Sequence, residues 1–185
     1  MRHISALAVA AILLAVPPSA RATQPDGWQA DVQAMLSQFL ACQDPIDDQS
    51  PCNLFLGRAL KRVYAITDFD DGHGGVISAN AIATYVAVNA DKWTSLGPAN
   101  SQDTLTQAAG YANLGKAVIA VLTGVTHGHV ALVLPGAVAH SGQWNLDVPN
   151  SASFFLNAPQ NSYVGKSLSF AFRTPDGVTI YGRNF

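Results

Sequence analysis

The sequence predicts an α+β protein, with helices in its first part and an antiparallel sheet in its C-terminal half. Before residue 114, apolar residues recur at the three- and four-residue spacing of helices that bury one face. After Gly115 the pattern changes to short apolar runs separated by turns that contain glycine or proline, which is typical of strands. Helices followed by consecutive strands are the order of elements found in α+β domains.

The N-terminal residues predict a secretory signal peptide that takes no part in the fold. A short basic start precedes an apolar run over 4–16, which is too brief to cross a bilayer. Ala20 and Ala22 then stand at the small-residue positions of a cleavage site. We therefore expect residues 1–22 to be removed. Residues 23–185 should form one exported domain, secreted or periplasmic, without a membrane span.

The composition excludes several classes of protein. The net charge is −2 and no run of basic residues occurs, which argues against a nucleic-acid partner or an anionic membrane surface. All twelve acidic residues are Asp, so the zinc-protease pattern H-E-x-x-H and a paired-glutamate glycosidase site are both excluded. The loop DFDDGHGG lacks the glycine position and the closing Glu of a calcium loop. We expect no metal and no organic cofactor.

Three helices follow directly from apolar spacing and end signals. Trp28 opens a periodic apolar run that predicts a helix over 27–41. Two shorter helices are predicted over 78–89 and 103–113, and Gly115 should end the latter.

A further helix is predicted to begin beside a cysteine. Ser50 fits the N-cap and Pro51 the first helical position, which places Cys52 second in the helix. There its backbone N–H has no partner within the helix, and the positive end of the helix dipole stabilises a thiolate. A thiolate beside an unpaired backbone donor is the pattern of a nucleophile with part of an oxyanion hole. Cys52 is therefore the candidate catalytic nucleophile.

The second half predicts strands joined by short turns. The apolar runs over 117–122 and 129–134 should pair antiparallel, because only the segment TGVTHG separates them. Pro135-Gly136 predicts a turn that leads into 137–144. The runs LSFAF and VTIYG, on either side of RTPDG, predict a closing hairpin.

His129 begins an otherwise apolar strand, and packing alone does not explain an imidazole at this position. Since the apolar face of the cysteine helix should point to the sheet, His129 can take the thiol proton and later protonate the leaving amine. A third group usually orients such a ring. A tight turn at Pro135-Gly136 would bring His140 to the face that carries His129, whereas a loop one residue longer would bring Asn145. We expect His140 in this third position, with Asn145 as the alternative.

The segments SPCNLFLGRAL and HGHVALVLPG, in this order, resemble the papain-like NlpC-type cell-wall cysteine amidases. The resemblance is closest to the first family of type VI secretion amidase effectors and covers about residues 50–145. It implies an NlpC-type fold and cleavage of amide bonds in peptidoglycan stem peptides. In that resemblance Cys52 matches the nucleophile and His129 the general base. It suggests the D-glutamyl–diaminopimelate bond as the target.

Two further expectations concern partners and export. An immunity or inhibitor protein is a further expected partner, and we expect a monomer. Type VI effectors carry no signal peptide, so the signal predicted here departs from that family and indicates ordinary export.

The alternative interpretation is a disulfide between Cys42 and Cys52, the two cysteines of the chain. In an oxidising compartment such a bridge would close a loop of about ten residues and stabilise the fold by ~3 kcal/mol. His129 would then be a buried, neutral residue without a catalytic role. The protein would be a non-catalytic secreted binding or inhibitor module.

Overall fold

The computed structural model describes residues 26–41, 55–155 and 158–184. The predicted signal peptide, both cysteines and the predicted helix start at Ser50-Pro51 lie outside these residues. The described part contains the helices α1 Trp28–Ala41, α2 Phe55–Tyr64, α3 Ala79–Val88 and α4 Gln102–Asn113. No helix in these ranges has the length and apolar character that crossing a membrane would require.

The described residues contain eight strands, which form two antiparallel sheets. The strands are β1 Trp93–Pro98, β2 Val118–Leu122, β3 His129–Val133, β4 Ala139–Ser141, β5 Leu146–Val148, β6 Asn150–Ser153, β7 Tyr163–Ser167 and β8 Val178–Arg183. Six of them form one sheet in the order β1-β8-β2-β3-β6-β7, while β4 and β5 form a separate pair. The predicted α+β class is confirmed, and so is the antiparallel sheet in the C-terminal half.

The larger sheet is buried on both faces. The helices α1, α2 and α3 cover one face through an apolar cluster that includes Ile119 and Leu132. The helix α4 covers the other face through a second cluster that includes Ala120 and Ala131. Because successive side chains of a strand point to opposite faces, β2 and β3 read as continuous apolar runs when both faces are covered. The predicted pairing of these two strands is confirmed, with Leu122 opposite His129.

The helices α3 and α4 begin at serine N-caps, and Gly115 follows the end of α4 as predicted. The Ser78 side chain accepts a hydrogen bond from the Ala81 N–H and caps α3, as Ser101 does for α4 with Thr104. Gly115 follows α4 with a positive φ of 80°, a conformation that glycine adopts without strain.

The predicted closing hairpin is wrong. The residues Leu168–Phe170 form a short 3₁₀ helix rather than a strand. The strand β8 pairs with β1 and β2, so it lies inside the sheet with a partner on each side. Val178 and Ile180 are buried in the second cluster. Two hydrogen-bonded neighbours and a buried face outweigh the local turn signal, which acts only on the chain next to it.

The turn at Pro135-Gly136 leads into β4, within the predicted range 137–144, but β4 does not pair with β3. The chain leaves β3 and forms the separate β4–β5 pair, while β6 takes the place beside β3. Asn145 has a φ of 52° in the connection between β4 and β5, which Asn tolerates better than most residues.

A partly buried ion pair joins the loop after α2 to the sheet. Arg183 Nε lies 2.7 Å from an Asp68 carboxylate oxygen. The same oxygen accepts a hydrogen bond of 2.9 Å from the Trp93 indole N–H. Three distant parts of the chain therefore meet at one carboxylate.

We predict that Asp68→Asn lowers the free energy of unfolding by about 2 kcal/mol, because it leaves the Arg183 guanidinium without its counter-charge. Urea unfolding at neutral pH measures this. The matched control is Arg62→Ala, which removes the exposed pair of Arg62 with Asp31 at 3.0 Å and should cost less than ~1 kcal/mol. Equal losses in the two variants would contradict the prediction.

Candidate functional site

A cavity of about 330 Å³ opens where β3 begins. Its walls come from the first turn of α2, the start of α3, the loop between β2 and β3, and the chain after β6. Phe55 and Leu56 line it on one side, and His129 and Phe155 line it on another. It is therefore the place where the first turn of α2 and the predicted general base come together.

The His129 ring is enclosed by aromatic side chains. It stacks on Phe155 with ring centroids 4.8 Å apart and meets the edge of Phe172 at 5.3 Å. Its Nε2 atom shares a hydrogen bond of 2.8 Å with the Ser153 hydroxyl. Burial lowers the pKa of His129 from 6.5 to about 4. The imidazole is therefore neutral at pH 7.

Ser153 owes its position to the pairing of β3 with β6. In that pairing Val133 lies opposite Ser151, and Ser153 lies two residues further along the same face of β6. Ser153 is buried, so its hydroxyl needs a partner, and the His129 ring supplies it. Small polar residues at alternating positions in NSASFF are the sequence signal for this strand, and Ser153 was not among the predicted site residues.

The structure brings neither His140 nor Asn145 to His129. His140 is exposed in β4, and its Nδ1 lies 3.3 Å from Asp147 of the neighbouring strand β5. Asn145 lies in the turn that joins β4 to β5, and neither residue lines the cavity. The prediction assumed that the strand after Pro135-Gly136 pairs with β3. Since β6 pairs there instead, Ser153 holds the position beside the imidazole.

His129 lies on the opposite face of the sheet from the one expected. It shares its face with Ala131 and Val133, which belong to the cluster under α4. The first turn of α2 packs on the other face, where Phe55 contacts Phe154 with ring centroids 6.2 Å apart. Phe154 and Phe155 thus link the two sides of the sheet at the cavity.

Cys52 lies outside the described residues, three positions before Phe55 in the sequence. The first turn of α2 and the His129 ring lie on opposite faces of the sheet, and the cavity occupies the end of β3 where His129 lies.

A side-chain amide holds the rim of the cavity in place. Asn80 of α3 donates to the Gly124 carbonyl at 2.9 Å and accepts from the Gly124 N–H at 3.1 Å. This pair of bonds fastens the loop over 123–128, which carries His127 at the cavity wall. A Cβ atom on Gly124 would collide with the His127 carbonyl, so the loop requires glycine there.

The acidic loop DFDDGHGG forms a turn closed by its own side chain. Asp71 accepts hydrogen bonds from the backbone N–H groups of His73 and Gly75, and the bond from His73 is the main reason that the Asp71 pKa is lowered. Among the described residues, no group of three or more His, Cys or Asp side chains is placed to hold a metal ion.

A scan against protein-family models gives no match for this chain, and a search of curated proteins gives none either. The fold and the cavity define an α+β protein whose pocket, among the described residues, is mostly apolar and lies beside a hydrogen-bonded His–Ser pair.

We predict that acid destabilises the protein through His129. The pKa of His129 is about 4 in the folded chain and 6.5 when the side chain is not buried, as in the unfolded chain. The unfolded chain therefore binds more protons between these two pH values. Stability should fall as the pH drops through this window, by up to roughly 3 kcal/mol from His129 alone. Urea unfolding at pH 7 and pH 4.5 measures the loss. His129→Asn should show a smaller loss, while a matched exposed variant, His127→Asn, should behave like the wild type. An identical loss in His129→Asn would contradict the assignment.

We predict that Asn80→Ala loosens the cavity rim, because it removes both the acceptor of the Gly124 N–H and the donor to the Gly124 carbonyl. Hydrogen exchange at the Gly124 amide should accelerate at least ~5-fold, which corresponds to the loss of a net hydrogen bond of about 1 kcal/mol. Thr84→Ala, which removes a different hydrogen bond to Asn80 in the same helix, is the control and should leave this amide protected. Unchanged exchange in Asn80→Ala would rule out the clamp.

Proposed function

We propose that the protein is an exported cysteine amidase with a papain-like, NlpC-type arrangement, which hydrolyses amide bonds in peptidoglycan stem peptides. The observation that carries the proposal is the shared cavity: the first turn of α2, which Cys52 shortly precedes, and His129 both border it. The resemblance of the segments around these two residues to cell-wall amidases gives the substrate class.

In the proposed reaction the Cys52 thiolate attacks the carbonyl carbon of the scissile amide, and its own backbone N–H stabilises the developing oxyanion. His129 takes the thiol proton and gives it to the leaving amine. A water molecule, deprotonated by the same imidazole, then hydrolyses the thioester and releases Cys52. No step requires a metal or an organic cofactor.

Ser153 is the positioning residue in this proposal. The imidazole Nε2 is engaged with the Ser153 hydroxyl at 2.8 Å, so the proton transfer to and from Cys52 is assigned to Nδ1. Stacking on Phe155 fixes the plane of the ring. Burial lowers the pKa of His129 to about 4, so the neutral ring is a weak base toward the thiol and, once protonated, a strong acid toward the leaving amine.

A second candidate function is a non-catalytic binding module with a Cys42–Cys52 disulfide. The aromatic enclosure of His129, on the face of the sheet opposite α2, favours this candidate. Here the His–Ser pair would satisfy two buried polar groups and stabilise the cavity wall without taking part in chemistry. The cavity would then bind a ligand unchanged.

The decisive experiment is the digestion of purified sacculi, with the released fragments identified by mass. We expect the wild type, reduced beforehand, to release cleaved stem peptides, and Cys52→Ala to lose at least ~100-fold in rate because the nucleophile is removed. Cys42→Ala is the matched control and should stay active. If the wild type releases no fragments and neither cysteine can be alkylated, the amidase proposal is wrong and the binding module is the better candidate.

The pairing of Cys52 with His129 has its own readout. If the imidazole acts on the thiol, iodoacetamide should alkylate Cys52 at neutral pH several-fold more slowly in His129→Ala than in the wild type. The control His127→Ala should leave the rate unchanged. Equal rates in all three proteins would remove His129 from the mechanism while leaving Cys52 open to test by the sacculus assay.

A further inference from the structure

The wall of the cavity carries no full charge among the described residues. It contains no Asp, Lys or Arg side chain, and its ionisable groups are the imidazoles of His127 and His129. The remainder of the wall is mostly apolar and includes aromatic rings from Phe55, Phe154 and Phe155.

Three side chains of this wall use polar atoms in hydrogen bonds within the protein. Both atoms of the Asn80 amide bond Gly124, and the Ser78 hydroxyl caps α3. The His129 Nε2 atom bonds Ser153. Among the described residues, the exposed side chains of Thr126 and His127 remain as donors at the rim for a bound anion.

Such a wall discriminates between charged and uncharged ligands. An ionised carboxylate that enters it loses its hydration and gains no cationic partner from the described wall residues, whereas a primary amide of the same shape loses far less. A volume of about 330 Å³ lies at the small end of the range for ligand pockets, so the cavity fits one or two residues of a peptide.

We infer that the cavity binds a stem-peptide residue whose carboxylate is amidated, and that the protein selects amidated stem peptides over those with a free carboxylate. This inference rests on the proposed amidase function. It narrows the substrate of that function to stem peptides in which the residue that enters the cavity carries a neutral primary amide. The unamidated form of that residue carries a negative charge.

The test uses two stem peptides that are identical except at the α-carboxyl of the D-glutamyl residue, which is amidated in one and free in the other. We expect kcat/KM to be at least ~10-fold higher for the amidated peptide, because no ion pair with the described wall offsets the free-energy cost of desolvating the carboxylate. Equal rates, or faster cleavage of the charged peptide, would overturn the inference and leave the amidase function intact.

A charge placed on the cavity wall gives an independent check. Thr126→Lys puts a cation at the rim and should reduce the preference for the amidated peptide several-fold. Val125→Lys is the matched control, because Val125 is fully exposed in the same loop and does not line the cavity. The same change in both variants, or none in Thr126→Lys, would show that the wall does not set the preference.

Calorimetric binding of both peptides to Cys52→Ala separates this inference from the proposed function. If neither peptide is cleaved by the wild type but the amidated one binds more tightly, the amidase proposal fails and the neutral cavity stands. If neither peptide binds, or the charged one binds more tightly, the inference fails.

Discussion

The burial of the central strands on both faces is the constraint on which the structure depends. With α1, α2 and α3 on one side and α4 on the other, each residue of β2 and β3 must enter one of two apolar clusters. Strand alternation then decides which cluster receives it. His129 falls on the α4 side by this rule, whereas the first turn of α2 packs on the other side. The two can meet only where the strand ends, and the cavity lies at that end.

The chain after β6 connects these two environments. Phe154 packs against Phe55 at the start of α2, and its neighbour Phe155 stacks on His129. Ser153, one residue earlier, holds the imidazole nitrogen. Three consecutive residues therefore fix the wall of the cavity from both sides of the sheet, and they tie its geometry to the pairing of β6 with β3.

The electrostatic character of the cavity follows from the same burial. Enclosure by aromatic rings disfavours the imidazolium and keeps His129 neutral, while the absence of charged side chains among the described wall residues leaves the pocket without strong ionic partners. Such a pocket suits a neutral, weakly polar group. The same burial makes His129 a weak base and makes its protonated form a strong acid.

The sequence by itself determined the local elements, since helix spacing, serine N-caps, Gly115 and the apolar runs act through neighbouring residues. It predicted α1, α3, α4 and the β2–β3 pair, and it singled out His129. Only the tertiary structure decided that β6 rather than β4 lies beside β3. It likewise placed β8 inside the sheet instead of in a hairpin. These choices put Ser153, rather than His140 or Asn145, beside His129, and set His129 on the face away from α2. Pairing between distant strands depends on which faces are buried in common, and the periodicity of a single strand does not contain that information.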